Sequence, residues 1–309
     1  MGWLDRLRGT KRAEAPASTE LFDEEFQRRL DYLAVVSRRL FAGRMRAERK
    51  TKKSGSGIEF ADHRDYVPGD DLRYLDWALY GRTGRLLLKL FEEEEDLAIY
   101  ILLDCSRSMG FGRPSKFDHA RRLAAALAYV GLTNLDRVGI VAFSSTVSAR
   151  LPPGRGRGRI FKVFEFLRSL QPSGETAIAE AARSFAAENK RRGVAILLSD
   201  LYDPAGFERG INAVRYQRFE PMVVQLVDPR EADPGERGDL TLEDVETGDK
   251  REVTLSPDLV ARYRAAHASW REEIAGFCKN RQVPFVAADV NGAFEDQVLE
   301  LFRRTGVVG

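Results

Sequence analysis

Cysteine, histidine and long apolar runs are all scarce in this chain of 309 residues, and each scarcity excludes something. Its two cysteines, Cys105 and Cys278, cannot make a disulfide framework, and no CxxC or Cys/His spacing suits zinc. Two reduced thiols are the reading, as in a cytoplasmic protein. Three histidines, His63, His119 and His267, stand far apart without the order of a catalytic triad. Walker and HExxH motifs are also missing. No apolar run reaches the ~18–20 residues of a membrane span. The first residues, Met1-Gly-Trp-Leu-Asp-Arg6, lack the apolar core of a signal peptide, and Arg6 stands where myristoylation needs Ser or Thr.

Net charge is small too, +2 overall, so bulk charge selects no partner. The balance of 43% hydrophobic and 31% charged residues is that of an ordinary globular chain. Residues 38–53 are locally basic: eight Lys/Arg stand against Glu48 alone. This run could meet nucleic acid or an anionic membrane, although Phe41 is its only aromatic residue, too few for base stacking. A solvated helix end followed by a loop is the plainer reading. Lys53-Ser-Gly-Ser-Gly57 is too short and wrongly ordered for a phosphate-binding loop.

What the chain does have centres on residues 98–109. The run Ala98-Ile-Tyr-Ile-Leu-Leu-Asp104 predicts a strand buried on both faces, ending in a carboxylate at the carboxyl edge of a sheet. Ser106 and Ser108 follow at alternate positions. Hard, neutral and anionic oxygens of this kind suit Mg²⁺ or Mn²⁺. Asp and Ser also make ordinary turns and caps, so two further features matter. Ser173-Gly-Glu-Thr176 opens a helical stretch with a threonine, and Val194-Ala-Ile-Leu-Leu-Ser-Asp200 is a second buried strand ending in aspartate.

Together these residues resemble the metal-ion-dependent adhesion site (MIDAS) of von Willebrand factor A domains. The resemblance implies a metal set of Asp104, Ser106, Ser108, Thr176 and Asp200, with the hydroxyls touching the ion directly and the aspartates often acting through water. It also implies that Cys105 points away from the ion. Such a site leaves one position open, commonly for a Glu or Asp of another protein.

Elsewhere the chain alternates strands and helices, which predicts an α/β fold with a doubly wound, mostly parallel sheet. Residues 1–19 read as a flexible tail. Residues 20–96 read as an N-terminal helix, carried by Phe22, Phe26, Leu30, Leu33, Val36 and Leu40, followed by a small β-rich appendage. Residues 97–309 read as the main von Willebrand A-like domain, with a β-hairpin insertion at about 229–255. In the appendage, Asp62, His63, Asp65 and Asp70 imitate a metal cluster, but Arg64 and Arg73 are placed to neutralise them. Gly154-Arg-Gly-Arg-Gly-Arg159 reads as a basic loop before a helix.

The order of motifs over residues 20–305 is specific. Glu59-Phe-Ala-Asp-His-Arg-Asp-Tyr-Val-Pro-Gly-Asp-Asp-Leu-Arg-Tyr-Leu-Asp-Trp77, then Gly84-Arg-Leu-Leu-Leu-Lys-Leu-Phe91, then the Asp104 loop, closely resembles the bacterial domain-of-unknown-function family fifty-eight. Genes of that family often lie beside a MoxR-type AAA+ ATPase. The resemblance implies a metal-dependent protein-interaction module, not an enzyme, working with such an ATPase to assemble or remodel a complex. Two alternatives stand beside it: a Mg²⁺-dependent phosphohydrolase, with His119 the histidine to test, and a nucleic-acid-binding protein using residues 38–53.

Overall fold

The computed structural model describes residues 21–41, 50–53, 59–94, 98–233 and 238–304. The expected tail at 1–19 and the middle of the basic run, 42–49, lie outside the described residues, as does most of Lys53–Gly57.

Helix α1, Glu24–Phe41, starts where Asp23 accepts the Phe26 N–H at 2.7 Å, with Glu24 and Glu25 in the first turn. A carboxylate there satisfies an orphan donor and suits the positive end of the helix dipole. Its apolar stripe is buried: Phe22, Phe26, Leu30 and Leu33 belong to the main core with Ile101, Leu103 and Leu123. Phe22 stacks on Phe164 with ring centroids 4.7 Å apart, and Phe26 lies 4.8 Å from Phe294. The N-terminal helix is therefore a wall of the main core.

The appendage is an antiparallel sheet of β1 (Lys50–Lys53), β2 (Glu59–Asp65) and β3 (Leu87–Glu94) in the order β1-β3-β2, with helix α2 (Trp77–Thr83) between β2 and β3. Val67-Pro-Gly-Asp70 closes a turn through the Asp70 N–H, which donates to Val67 O at 3.0 Å, and Gly69 sits at φ +107°. Arg64 donates to both oxygens of Asp70 at 2.8 and 2.7 Å, and Arg85 pairs with Asp65 at 2.9 Å. Asp76 caps α2 by accepting the Leu79 N–H and also meets His63 Nε2 at 3.0 Å.

The main domain follows in chain order. Its elements begin with β4 (Ala98–Asp104), α3 (Lys116–Thr133), β5 (Arg137–Phe143), β6 (Val147–Gly154), α4 (Ile160–Ser169) and α5 (Ile178–Glu188). Next come β7 (Val194–Ser199), α6 (Phe207–Tyr216), β8 (Glu220–Val227) and the single turn α7 (Pro229–Ala232). A hairpin of β9 (Gly238–Glu243) and β10 (Lys250–Leu255) leads to α8 (Pro257–Asn280), β11 (Phe285–Asp289) and α9 (Phe294–Phe302). Ser256 and Pro257 start α8 as the sequence predicts, with Ser256 Oγ accepting the Leu259 N–H.

The central sheet has the order β11-β8-β7-β4-β5-β6, parallel throughout except for the β5–β6 edge pair. Alternate residues of β4 serve opposite faces, as strand geometry requires. Ile101 and Leu103 pack with residues of α3, α4 and α9, while Tyr100 and Leu102 pack with residues of α5, α6 and α8. The expected doubly wound, mostly parallel α/β sheet is thus present. No described helix is long and apolar enough to cross a membrane.

Candidate functional site

Neighbouring parallel strands reach the same edge in register, so Leu103 of β4 lies beside Leu198 of β7. The chain's next residues, Asp104 and Ser199, then meet: Ser199 Oγ donates to Asp104 Oδ2 at 2.6 Å. The other oxygen, Oδ1, accepts the Ser106 N–H at 2.9 Å. Ser106 Oγ lies 3.0 Å from Ser108 Oγ.

Backbone bonds stitch this loop to the end of β5 and to the loop carrying Thr176. Cys105 N–H donates to Phe143 O, Ser173 N–H to Cys105 O, and Arg107 N–H to Gly174 O, at 2.7, 2.6 and 3.0 Å. Gly174 turns at φ +77°, a conformation glycine adopts without strain. Thr176 lies two residues ahead of α5, in the loop and not at a helix start as its sequence suggested. All five sequence-predicted residues, Asp104, Ser106, Ser108, Thr176 and Asp200, are therefore buried at one rim of the sheet. Cys105 turns inward instead, its Sγ 3.6 Å from Leu103 O.

The electrostatics are severe because the rim is dry. Burial, reinforced by Asp200, pushes the Asp104 carboxyl up to about 7. Lys116, wholly buried at the first turn of α3, donates to Asp200 Oδ2 at 2.6 Å and to Glu231 of α7. Burial alone would lower the Lys116 ammonium, but Asp200 and Glu231 hold it above its ordinary value. Burial raises the Glu231 carboxyl in spite of Lys116. Two inward carboxylates, Asp200 and Glu231, thus share one ammonium, and among the described residues no basic side chain pairs with Asp104.

A divalent cation there would offset the unpaired Asp104 charge. The donor set fits it: hard oxygens throughout, with the serine hydroxyls at the spacing of adjacent ligands. Octahedral Mg²⁺ with bonds of about 2.1 Å sets such neighbours about 3.0 Å apart. Among the described residues, no group of three or more His, Cys, Asp or Glu side chains is placed to hold a metal ion. Any ion at this rim would therefore depend on the hydroxyls.

Three participants escaped the sequence reading. They are Lys116 at the start of α3, Glu231 of α7 and Glu246 at the tip of the hairpin. At that tip Glu246 reaches back to the rim, where its Oε1 accepts Thr176 Oγ1 at 2.9 Å and its Oε2 accepts the Thr176 N–H at 3.0 Å. Beneath the hairpin a groove of about 920 Å³ runs from Ser108 to α8, floored by Tyr202 stacked on Trp270 with centroids 4.5 Å apart. His119 is directed elsewhere: it is buried against Gln297 of α9 at 2.6 Å.

Among curated proteins, the chain is similar to the uncharacterized protein Rv1480 of Mycobacterium tuberculosis (strain ATCC 25618 / H37Rv). The two are 28% identical over 238 residues, covering 75% of each chain. The uncharacterized protein Mb1516 of Mycobacterium bovis matches to the same extent. Among solved structures, the conserved hypothetical protein BatB of Bacteroides thetaiotaomicron is 19% identical with a TM-score of 0.43. That match covers 68% of this chain and 99% of that one. An aerotolerance-related membrane protein of Bacteroides fragilis NCTC 9343 is 20% identical, covering 67% and 99%, with a TM-score of 0.44. At TM-scores below 0.5, neither neighbour's role carries over. The model of the family described as "Protein of unknown function DUF58" matches residues 62–273, more than half of the chain, and the chain belongs to that family.

Proposed function

We infer that the chain is a metal-dependent protein-interaction module, von Willebrand A-like, whose rim holds Mg²⁺ or Mn²⁺. Ser106, Ser108 and Thr176 would supply hydroxyl oxygens, with Asp104 and Asp200 behind them. The observation that carries this reading is Asp104: a wholly buried carboxylate at the end of a central strand, beside buried hydroxyls and without a basic partner among the described residues. A buried charge is costly unless paired or bound to metal. When bound, the ion would supply a positive position to which an outside carboxylate could attach, since neutral hydroxyls leave much of its charge uncompensated.

The residues around it do the rest. The stitched loops fix the hydroxyls, and Lys116 limits the excess negative charge. The adjoining groove leaves room for side chains flanking a partner's carboxylate. By family resemblance, the partner is a MoxR-type AAA+ ATPase. The setting would be cytoplasmic, with which the two free, buried cysteines accord. The test is binding of a purified MoxR-type ATPase from the same bacterium. Capture with Mg²⁺ that chelation or Asp104→Ala abolishes is the expected result, and capture indifferent to both would contradict it.

A further inference from the structure

We propose that Glu246 is an internal carboxylate ligand of this rim, carried on the β9–β10 hairpin into the place an outside carboxylate would take. The proposal rests on the metal-site reading above. Both Glu246 oxygens are committed to Thr176, which lies 70 residues earlier in the chain. The Thr176 hydroxyl donates its hydrogen bond to Glu246, which leaves the hydroxyl's lone pairs free for a cation. The 2.9 Å between Thr176 Oγ1 and Glu246 Oε1 is also close to the spacing of about 3.0 Å between adjacent ligands of octahedral Mg²⁺.

The tip is shaped for this contact. Asp244 Oδ1 accepts the N–H groups of Glu246 and Thr247 at 2.8 and 2.9 Å, and Gly248 closes the turn at φ +78°. Arg107, inside the Ser106–Ser108 loop, donates to Glu246 O at 3.1 Å, so the tip meets both loops of the rim. Among the described residues, β9 and β10 pair with each other and with no other strand, and most of their residues are exposed. An outside carboxylate would reach the ion by displacing Glu246, and the hairpin would lift with it.

The experiment uses the full chain and Mn²⁺ alone as probe, comparing wild type, Glu246→Gln and Asp104→Ala. Affinity is read by titration, and ion hydration by water-proton relaxation. Loss of one anionic ligand should weaken Mn²⁺ binding by about tenfold. Each bound Mn²⁺ should also relax water more strongly, because water replaces the carboxylate. Exchange of the Thr176 amide should quicken in the same variant. Unchanged affinity and relaxation in Glu246→Gln, with binding lost in Asp104→Ala, would overturn the role of Glu246 and leave the metal site standing. Absence of Mn²⁺ binding to the wild type would overturn both.

Discussion

Asp76 in the appendage and Asp104 at the rim of the main sheet are the same residue type in opposite circumstances. Asp76 accepts the Leu79 N–H and faces His63, and these contacts hold its carboxyl down at about 2. Asp104, dry and close to Asp200, is pushed up to about 7. The pairs around them differ in the same way. Arg64 grips Asp70 with two hydrogen bonds, yet both side chains keep contact with water. Lys116 meets Asp200 with neither exposed. Exposed pairs are screened and replaceable by solvent, whereas a buried charge depends on its partner. Charge in the appendage therefore sits at a surface, while charge at the rim is locked within the protein.

The largest effect should come from removing the buried Lys116 ammonium. Lys116→Met leaves Asp200 and Glu231 facing each other without a cation and should cost about 3–5 kcal/mol in urea denaturation. Adding Asp200→Asn and Glu231→Gln to that variant should restore part of the loss. A cost no larger than that of an appendage ion pair would erase the distinction between the regions.

Next, Leu33→Ala should cost roughly 2–5 kcal/mol, because its wholly buried side chain sits in the main core. A loss confined to local fraying of α1, read by amide exchange, would move that helix to the appendage side of the comparison.

The smallest effect concerns pH. Asp76 has a depressed carboxyl, so its stabilisation is complete above the ordinary value of 3.8 and is lost as pH falls through about 2. Protection of the α2 amides, corrected for the intrinsic exchange rate at each pH, should fall over that acid range in the wild type. Asp76→Asn should flatten the dependence.

Much of this was legible in the chain because it is local. Six apolar residues ending in Asp104 fix a buried strand, and the Ser256-Pro257 pair marks the start of α8. The turn at Val67–Asp70 follows from Pro and Gly at suitable positions. The contacts that complete the rim are not local. Lys116 lies 84 residues from Asp200 and 115 from Glu231, and Glu246 lies 70 from Thr176. Periodicity describes one element at a time, and a lysine or glutamate is normally read as solvated. The stripe of α1 was equally plain, but its destination depended on Phe164 and Phe294, far along the chain.

The central claim is that the rim takes a divalent cation on Asp104 and its neighbouring hydroxyls. Isothermal titration of Mg²⁺ and Mn²⁺ into the metal-free full chain, beside Asp104→Ala, tests it most directly. The account predicts saturable one-to-one binding by the wild type and none by the variant. Equal binding by both, or none by the wild type, would contradict it.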